Sequence, residues 1–174
     1  MRYFKKIEGE KIYLSPVNID DYELYTKWLN NPNITQYLSI HNSLVTLNGE
    51  KAFLENNNEW MMAIVKKEDD TLLGNIGLDN IDYKNGNAEL GIFIGEEENT
   101  GKGYGSEAIN LLVNYAFNVL RLHSIYLRTY DINERAQKAY RKCGFKECGK
   151  IHEALYRDGK YHDIIYMEVI KGNE

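Results

Sequence analysis

Thr100-Gly-Lys-Gly-Tyr-Gly105 places three glycines at alternate positions between two runs of different periodicity, an arrangement that few folds accept. Upstream, Asn87 to Gly95 alternates apolar and polar residues as a strand does. Downstream, Ala108, Ile109, Leu112, Val113, Ala116, Phe117 and Leu120 recur at helical spacing and form a stripe that must pack on a sheet. Strand, glycine turn and helix in that order bring several backbone N–H groups to the positive end of the helix. Glycine tolerates positive φ and lets a ligand approach the backbone closely, so the loop suits a phosphate. The alternative is a plain glycine-rich turn, which would cost chain entropy without a packing gain. No Gly-Lys-Ser/Thr ends the run, which excludes a Walker A loop. The dinucleotide fingerprint fails on spacing, since the run is Gly-x-Gly-x-Gly, although Asp131 would stand where that fold keeps its ribose ligand.

Around the loop the chain alternates short elements, with no internal repeat, low-complexity tract or linker. Lys11 to Ser15 reads as a first strand stopped by Pro16. A helix follows, capped by Asn18, with Asp20 and Asp21 at its positive end and Tyr22, Tyr25, Trp28 and Leu29 at helical spacing; Asn31-Pro32 is expected to end it. A second helix is expected from Thr46 to Asn56, with Thr46 as cap and Leu47, Phe53 and Leu54 as its apolar face, weakened by Gly49. Trp60 to Lys67, Thr71 to Tyr83 and Asn87 to Gly95 read as strands joined at Asp69-Asp70 and at Asn85-Gly86, a dipeptide suited to a tight hairpin. After the long helix, Ser124 to Tyr130 reads as a strand and Asn133 to Cys143 as a short helix ended by Gly144. Phe145 to Tyr156 and Tyr161 to Ile170 form a closing hairpin turning at Asp158-Gly159. The predicted class is α+β with a mixed central sheet.

Composition narrows the partners. At 174 residues the chain fits one domain spanning residues 1–174. With 21 basic and 26 acidic residues its charge is opposite to that of a nucleic-acid binder and compatible with a cationic substrate. No apolar run approaches the roughly 18 residues that cross a bilayer, and the charged start lacks a signal-peptide centre, so the chain reads as cytoplasmic with no membrane partner. Cys143 and Cys148 are too few for a disulfide framework and, with no His-Glu-x-x-His among the four histidines, no metal site is expected.

The segment Thr100-Gly-Lys-Gly-Tyr-Gly105, with Ser106-Glu107-Ala108 after it, resembles the coenzyme A pyrophosphate loop of GNAT acetyltransferases, usually written Arg/Gln-x-x-Gly-x-Gly/Ala. Asn133, Ala136, Tyr140 and Gly144-Phe145 are similar to the family's Asn-x-x-Ala-x-x-x-Tyr-x-x-x-Gly-Phe helix. Trp28-Leu-Asn-Asn-Pro32, Thr35-Gln-Tyr-Leu38 and Tyr161-His-Asp-Ile-Ile-Tyr-Met167 look like the RimJ/RimL branch. Thr100 stands where the family usually has Arg or Gln, a position that contributes mainly its backbone N–H. The resemblance implies a three-layer αβα arrangement, with a GNAT-like mixed, mostly antiparallel sheet and helices on both faces. It implies an acetyl-CoA-dependent N-acetyltransferase that uses acetyl-CoA as co-substrate. The donor would lie between the Gly91 to Gly95 and Ser124 to Tyr130 strands, held by Ile92, Phe93, Ile94, Thr100, Gly101, Lys102, Gly103, Tyr104, Gly105, Ser106, Asn133, Ala136 and Tyr140. The other reading of the same fold is a non-catalytic acyl-CoA-binding sensor.

Acetyl transfer to an amine needs a neutral nucleophile, a polarised carbonyl and a stabilised thiolate. Tyr140 matches the family position for hydrogen-bonding or protonating the sulfur, and on residue type alone it could equally be a core aromatic. Glu89, opening the strand that leads to the loop, is the first candidate for a general base or for orienting a water that acts as one; an exposed strand carboxylate is the plain alternative, and Asp79, Glu50 and Glu55 are further carboxylates. Backbone N–H groups near Phe93, where the resemblance implies a bulged strand end, would polarise the carbonyl. Lys102, Arg135 and Lys138 are candidate phosphate partners, and Glu96 to Glu98 is expected to face water. The acceptor class stays open: a protein N-terminal amine, a polyamine such as spermidine, or another small amine, with its determinants expected between Asn31 and Asn58. The Tyr-rich closing hairpin leaves an edge on which a homodimer could form.

Overall fold

The computed structural model describes residues 2–56 and 60–172. Eight strands form one sheet in the order β1-β2-β3-β4-β5-β6-β8-β7. They are β1 (Ile7–Glu8), β2 (Ile12–Pro16), β3 (Met61–Lys66), β4 (Leu72–Asp82), β5 (Asn87–Ile94), β6 (Ser124–Tyr130), β7 (Lys146–Arg157) and β8 (Lys160–Ile170). Five helices accompany them: α1 (Tyr22–Leu29), α2 (Pro32–Thr35), α3 (Leu47–Glu55), α4 (Tyr104–Asn118) and α5 (Glu134–Lys142). Of the pairings described, β5 with β6 is parallel and the rest are antiparallel, which makes the sheet mixed and mostly antiparallel as expected. Among the described residues, no helix is long and apolar enough to cross a membrane.

The chain divides into two compact units, Met1–Gly77 with Ile92–Leu112, and Leu78–Gly91 with Val113–Glu174. In the first unit, Tyr3, Tyr13, Tyr25, Trp28, Leu54, Ala63, Val65 and Leu72 form a buried cluster against which Phe93 packs. Each buried Leu or Val among them contributes about 1.5–3 kcal/mol through burial. Asn18 accepts from Asp20 N and opens a 3-10 turn (Ile19–Asp21) that leads straight into α1. Asn31-Pro32 does end α1, yet it also starts α2: Asn31 accepts from Asn33 N, and Pro32 sits at the first helical turn, where its missing N–H costs nothing. Thr46 caps α3 through Gly49 N at 3.1 Å.

The expected face of α3 is corrected by the structure. Leu47 and Phe53 are 50% and 55% exposed, whereas Glu50 and Leu54 are buried. Glu50 and Leu54 lie four residues apart and share the buried side, so Leu54 is placed as expected while Leu47 and Phe53, out of register with it, could not outweigh the rotation that packing on α1 sets.

In the second unit the inward residues of three strands, Ala88, Leu90, Ile125, Leu127, Ile165, Met167 and Val169, are buried. The parallel pairing of β5 with β6 runs only from Asn87↔Ser124 to Glu89↔Tyr126, after which β6 continues its ladder with β8 as far as Tyr130↔Ile164. The β4–β5 connection is not the two-residue hairpin expected at Asn85-Gly86. It spans residues 83–86, with Asp82 Oδ1 accepting from Lys84 N and Asn85 N at 2.9 Å each, and only Gly86 has positive φ (+72°). At the other hairpin, Asp158 (+51°) and Gly159 (+79°) both have positive φ, as a primed turn requires.

Candidate functional site

The loop residues fall in the first unit. β5 reaches it under close contact: a Cβ on Gly74 would lie 2.1 Å from the Phe93 carbonyl oxygen, and one on Gly95 would lie 2.2 Å from the Trp28 indole. Both glycines are therefore there to let other groups in. Gly95 N donates to Leu73 O at 2.8 Å, and Phe93 meets Trp28 and Tyr25 edge to face, with centroids 6.2 and 6.1 Å apart. Past Gly95 the acidic run does not all face water. Glu97 and Glu98 do, but Glu96 accepts from Trp28 Nε1 at 2.8 Å and Lys27 Nζ at 3.2 Å. The Trp28 N–H, then Lys27, holds this carboxyl below the usual range. The partners turn it toward α1 and offset a charge that would oppose an anion.

A short 3-10 turn (Glu97–Asn99) follows, closed by Thr100 Oγ1 donating to Glu97 O at 2.7 Å. Gly101 and Gly103 have φ of +75° and +89°, and both are exposed. A Cβ on Gly101 would meet nothing within 4 Å, and one on Gly103 would meet only Lys11 Nζ at 4.0 Å. Gly105 lies against the side chains of Ile92 and Ile94, whose carbons a Cβ there would approach to 3.9 and 4.0 Å. Glu107 N donates to Gly103 O at 2.9 Å, starting the ladder of the 15-residue α4. Ile92 and Ile94 thus meet Gly105 at the start of α4, and Gly101 and Gly103 leave an open cradle at that helix N-terminus, while the Phe93 side chain turns to the Trp28 and Tyr25 cluster.

The remaining candidates fall in the second unit. Glu89 is not a free carboxylate: Oε1 accepts from Arg128 Nε at 2.5 Å and Oε2 from Asn80 Nδ2 at 3.0 Å, with Asn80 at a positive φ of +51°. Burial, then the Glu89 charge, raises the Tyr126 phenol next to it. A carboxylate with both oxygens engaged, one by a guanidinium, is better suited to fixing a water or a donor than to taking a proton itself. Asn133 acts as the N-cap of α5, accepting from Ala136 N at 3.2 Å. Tyr140, half-buried on the same helix, stands 6.1 Å from the Phe145 ring, and desolvation pushes its hydroxyl up to about 12. Lys138 pairs with Glu134 at 3.4 Å. Beside α5 lies an open hollow of about 380 Å³, lined by Lys138, Arg141 and Lys150 and equally by Asp131, Glu134 and Glu147, which gives it no preference for an anion.

Four participants escaped the sequence reading. Lys11 reaches the loop from β2, Trp28 from α1, and Arg128 and Asn80 hold Glu89. Lys11, Trp28 and Asn80 carry no local signal of these contacts, because each meets its partner only through strand pairing or helix docking. Alternation along β6 puts Tyr126 and Arg128 on the face opposite buried Ile125 and Leu127, and only that pattern hinted at Arg128. Among the described residues no group of three or more His, Cys, Asp or Glu is placed to hold a metal.

A family profile described as "Acetyltransferase (GNAT) domain" matches residues 11–146. A spermidine N(1)-acetyltransferase of Vibrio cholerae serotype O1 is 34% identical over 108 residues, 62% of this chain and 62% of that protein. YdaF of Bacillus subtilis (strain 168) is 36% identical over 103 residues, 59% of this chain and 56% of that protein. The chain thus spans about three fifths of the length of these curated relatives in alignment. Among solved structures, spermidine N-acetyltransferase from Vibrio cholerae in complex with CoA and spermine has a TM-score of 0.82 at 26% identity, covering 95% of this chain and 98% of that one.

Proposed function

Because the chain belongs to the acetyltransferase (GNAT) domain family, we propose that it is an acetyl-CoA-dependent N-acetyltransferase that passes the acetyl group directly to an amine, with a polyamine of the spermidine class as acceptor. The observation that carries this reading is the cradle at α4: Gly101 and Gly103 at positive φ with open space where side chains would be, at the positive end of a 15-residue helix. A pyrophosphate fits that donor set. Thr100 through Ser106 would supply backbone N–H groups, with Lys11 and Lys102 as the nearby cations. The names of the Vibrio relatives and a formal charge of -5 support a polycationic acceptor. The RimJ/RimL-like motifs around Trp28 and Tyr161 would instead favour a protein N-terminal amine.

In the reaction, the amine lone pair forms a C–N bond to the thioester carbon, the C–S bond breaks with its electron pair going to sulfur, and the nitrogen loses one proton. Backbone N–H groups at Phe93 would stabilise the oxygen as charge builds. The Tyr140 hydroxyl stays protonated throughout the neutral range. An acid at about 12 gives its proton to a thiolate, whose conjugate acid lies near ~8.5, only against the equilibrium; its main contribution is a hydrogen bond to the developing sulfur charge. Glu89, fixed by Arg128 and Asn80, would orient the water that takes the proton from nitrogen. No acyl-enzyme is needed.

The deciding experiment is release of CoA thiol from acetyl-CoA in the presence of spermidine, simple alkylamines and peptides with free N-termini. Turnover with spermidine is expected. Turnover with peptides alone would move the chain to the protein-modifying reading, and CoA binding without turnover on any amine would make it a sensor.

A further inference from the structure

Among the described residues of the first unit, two buried side-chain atoms have no hydrogen-bond partner, one on each of the packed helices α1 and α3. Glu50, on α3, is 4% exposed, and its Oε1 is buried with no hydrogen-bond partner. Tyr25, on α1, is 1% exposed and its hydroxyl is buried in the same condition. Their helices pack on each other, Tyr25 and the Leu54 of Glu50's own face share one buried cluster, and the Glu50 charge is a minor cause raising the Tyr25 phenol, after burial, Asp21 and Tyr3. Leaving a buried polar group unsatisfied is destabilising, and more so for a charge, so native folds keep such atoms only with a reason. The same unit shows a satisfied counterpart, since the buried carboxylate of Asp21 is met by Arg2 and by Tyr3 Oη. At Glu50 Oε1 no such partner is supplied among the described residues.

On the acetyltransferase reading above, we propose that Glu50 and Tyr25 are a second recognition point for the acceptor, receiving an ammonium group that does not react. A carboxylate oxygen only accepts, a phenol accepts or donates, and an ammonium with three N–H donors satisfies both at once. The reacting nitrogen must be neutral to attack, whereas a buried carboxylate holds a nitrogen in its charged form, so the pair suits a different nitrogen from the one acetylated. Position agrees with this. Tyr25 sits on α1, which packs on the Glu50 helix α3, and its ring meets Phe93 of the candidate donor strand edge to face at 6.1 Å. Access requires side chains of α1 and α3 to part, a cost that a cation recovers in the low-dielectric interior and an apolar chain end does not. The substrate class is therefore an amine with at least two cationic nitrogens.

The test compares 1,4-diaminobutane with n-butylamine, which has the same carbon chain and one nitrogen fewer, in wild type and Glu50→Gln. Wild type should favour the diamine by about tenfold or more in kcat/KM, and Glu50→Gln should bring the ratio near one by raising the diamine KM alone. Tyr25→Phe, which deletes only the hydroxyl, should move the ratio the same way by a smaller factor, and either variant suffices if the other fails to fold. Equal use of both amines by wild type, or an unchanged diamine KM in a folded Glu50→Gln protein, would overturn the proposal. So would a loss in kcat instead of KM, because that would place Glu50 at the reacting nitrogen. Calorimetry of 1,4-diaminobutane with the CoA-bound protein separates this proposal from the reading it rests on. Binding that weakens in Glu50→Gln supports the recognition point even if no amine is acetylated, and absence of binding to wild type overturns it even if other amines are.

Discussion

Two single atoms decide most of the proposed chemistry, a missing Cβ at Gly103 and a hydroxyl at Tyr140. Gly103 has φ +89° and open space around its Cα, so Gly103→Val would strain the loop through its backbone and fill the cradle without striking the core. CoA affinity by calorimetry should fall by more than about tenfold, equivalent to ~1.4 kcal/mol, with Tm nearly unchanged. An unaltered affinity would remove the pyrophosphate assignment. Tyr140→Phe keeps the ring beside Phe145 and deletes only the hydroxyl proposed to hydrogen-bond the sulfur. Its kcat should drop by roughly 10²-fold with acetyl-CoA binding little changed, and donors with more acidic thiols should recover part of the loss. A wild-type single-turnover rate in a folded Tyr140→Phe protein would make Tyr140 a core aromatic only. The wild-type hydroxyl is pushed up to about 12, so no alkaline limb in kcat should arise from it between about pH 8 and 10.

Among the elements, α1 and α3 carry the least expected result. Local rules placed both helices and the Thr46 cap of α3, because a cap is a contact over two or three residues, while Asn18 caps the 3-10 turn that leads into α1 and not α1 itself. They misplaced the buried face of α3, because rotation of a helix about its axis is set by what it docks against. That docking buries Glu50, and burial raises its carboxyl above the ordinary range. A group whose folded pKa is raised contributes stability below its unfolded pKa and loses it as pH climbs through the folded value. At neutral pH the ionised Glu50 therefore costs stability. Glu50→Gln should melt higher than wild type near pH 7, and the two curves should converge by about pH 4, where both side chains are neutral. A lower Tm for Glu50→Gln at pH 7 would mean that the carboxylate is already well satisfied. The brace from Trp28 and Lys27 to Glu96 is likewise a product of docking: the sequence shows an acidic run, and only the position of α1 turns its first member inward.

For the molecule as a whole, its many tyrosines predict a particular sensitivity. Burial raises the phenols of Tyr25 and Tyr140, and Tyr3 and Tyr13 move the same way through burial and their carboxylate partners Asp21 and Asp70. By the same sign rule, stability from these groups is present below about pH 10, the unfolded phenol value, and is lost above it as ionisation of the unfolded chain is favoured. Tm should fall steeply between about pH 10 and 12, and Tyr25→Phe should flatten the fall; a Tm independent of pH across that window would contradict it. On this scale the division between sequence and structure is clear. The order and type of nearly every element, the glycine loop, the α5 motif and the mixed sheet were legible in the chain, because periodicity, caps and turn chemistry act over a few residues. Among the described elements, the short β1 and α2 and the two 3-10 turns were missed, each too brief to carry a period. What the tertiary structure alone decided is which groups far apart in the chain meet: Lys11 at Gly103, Arg128 and Asn80 on Glu89, Trp28 on Gly95 and Glu96, and the helix of Glu50 on that of Tyr25. Those meetings follow from strand register and helix rotation, which depend on burial summed over a whole unit and leave no trace in any local stretch of sequence.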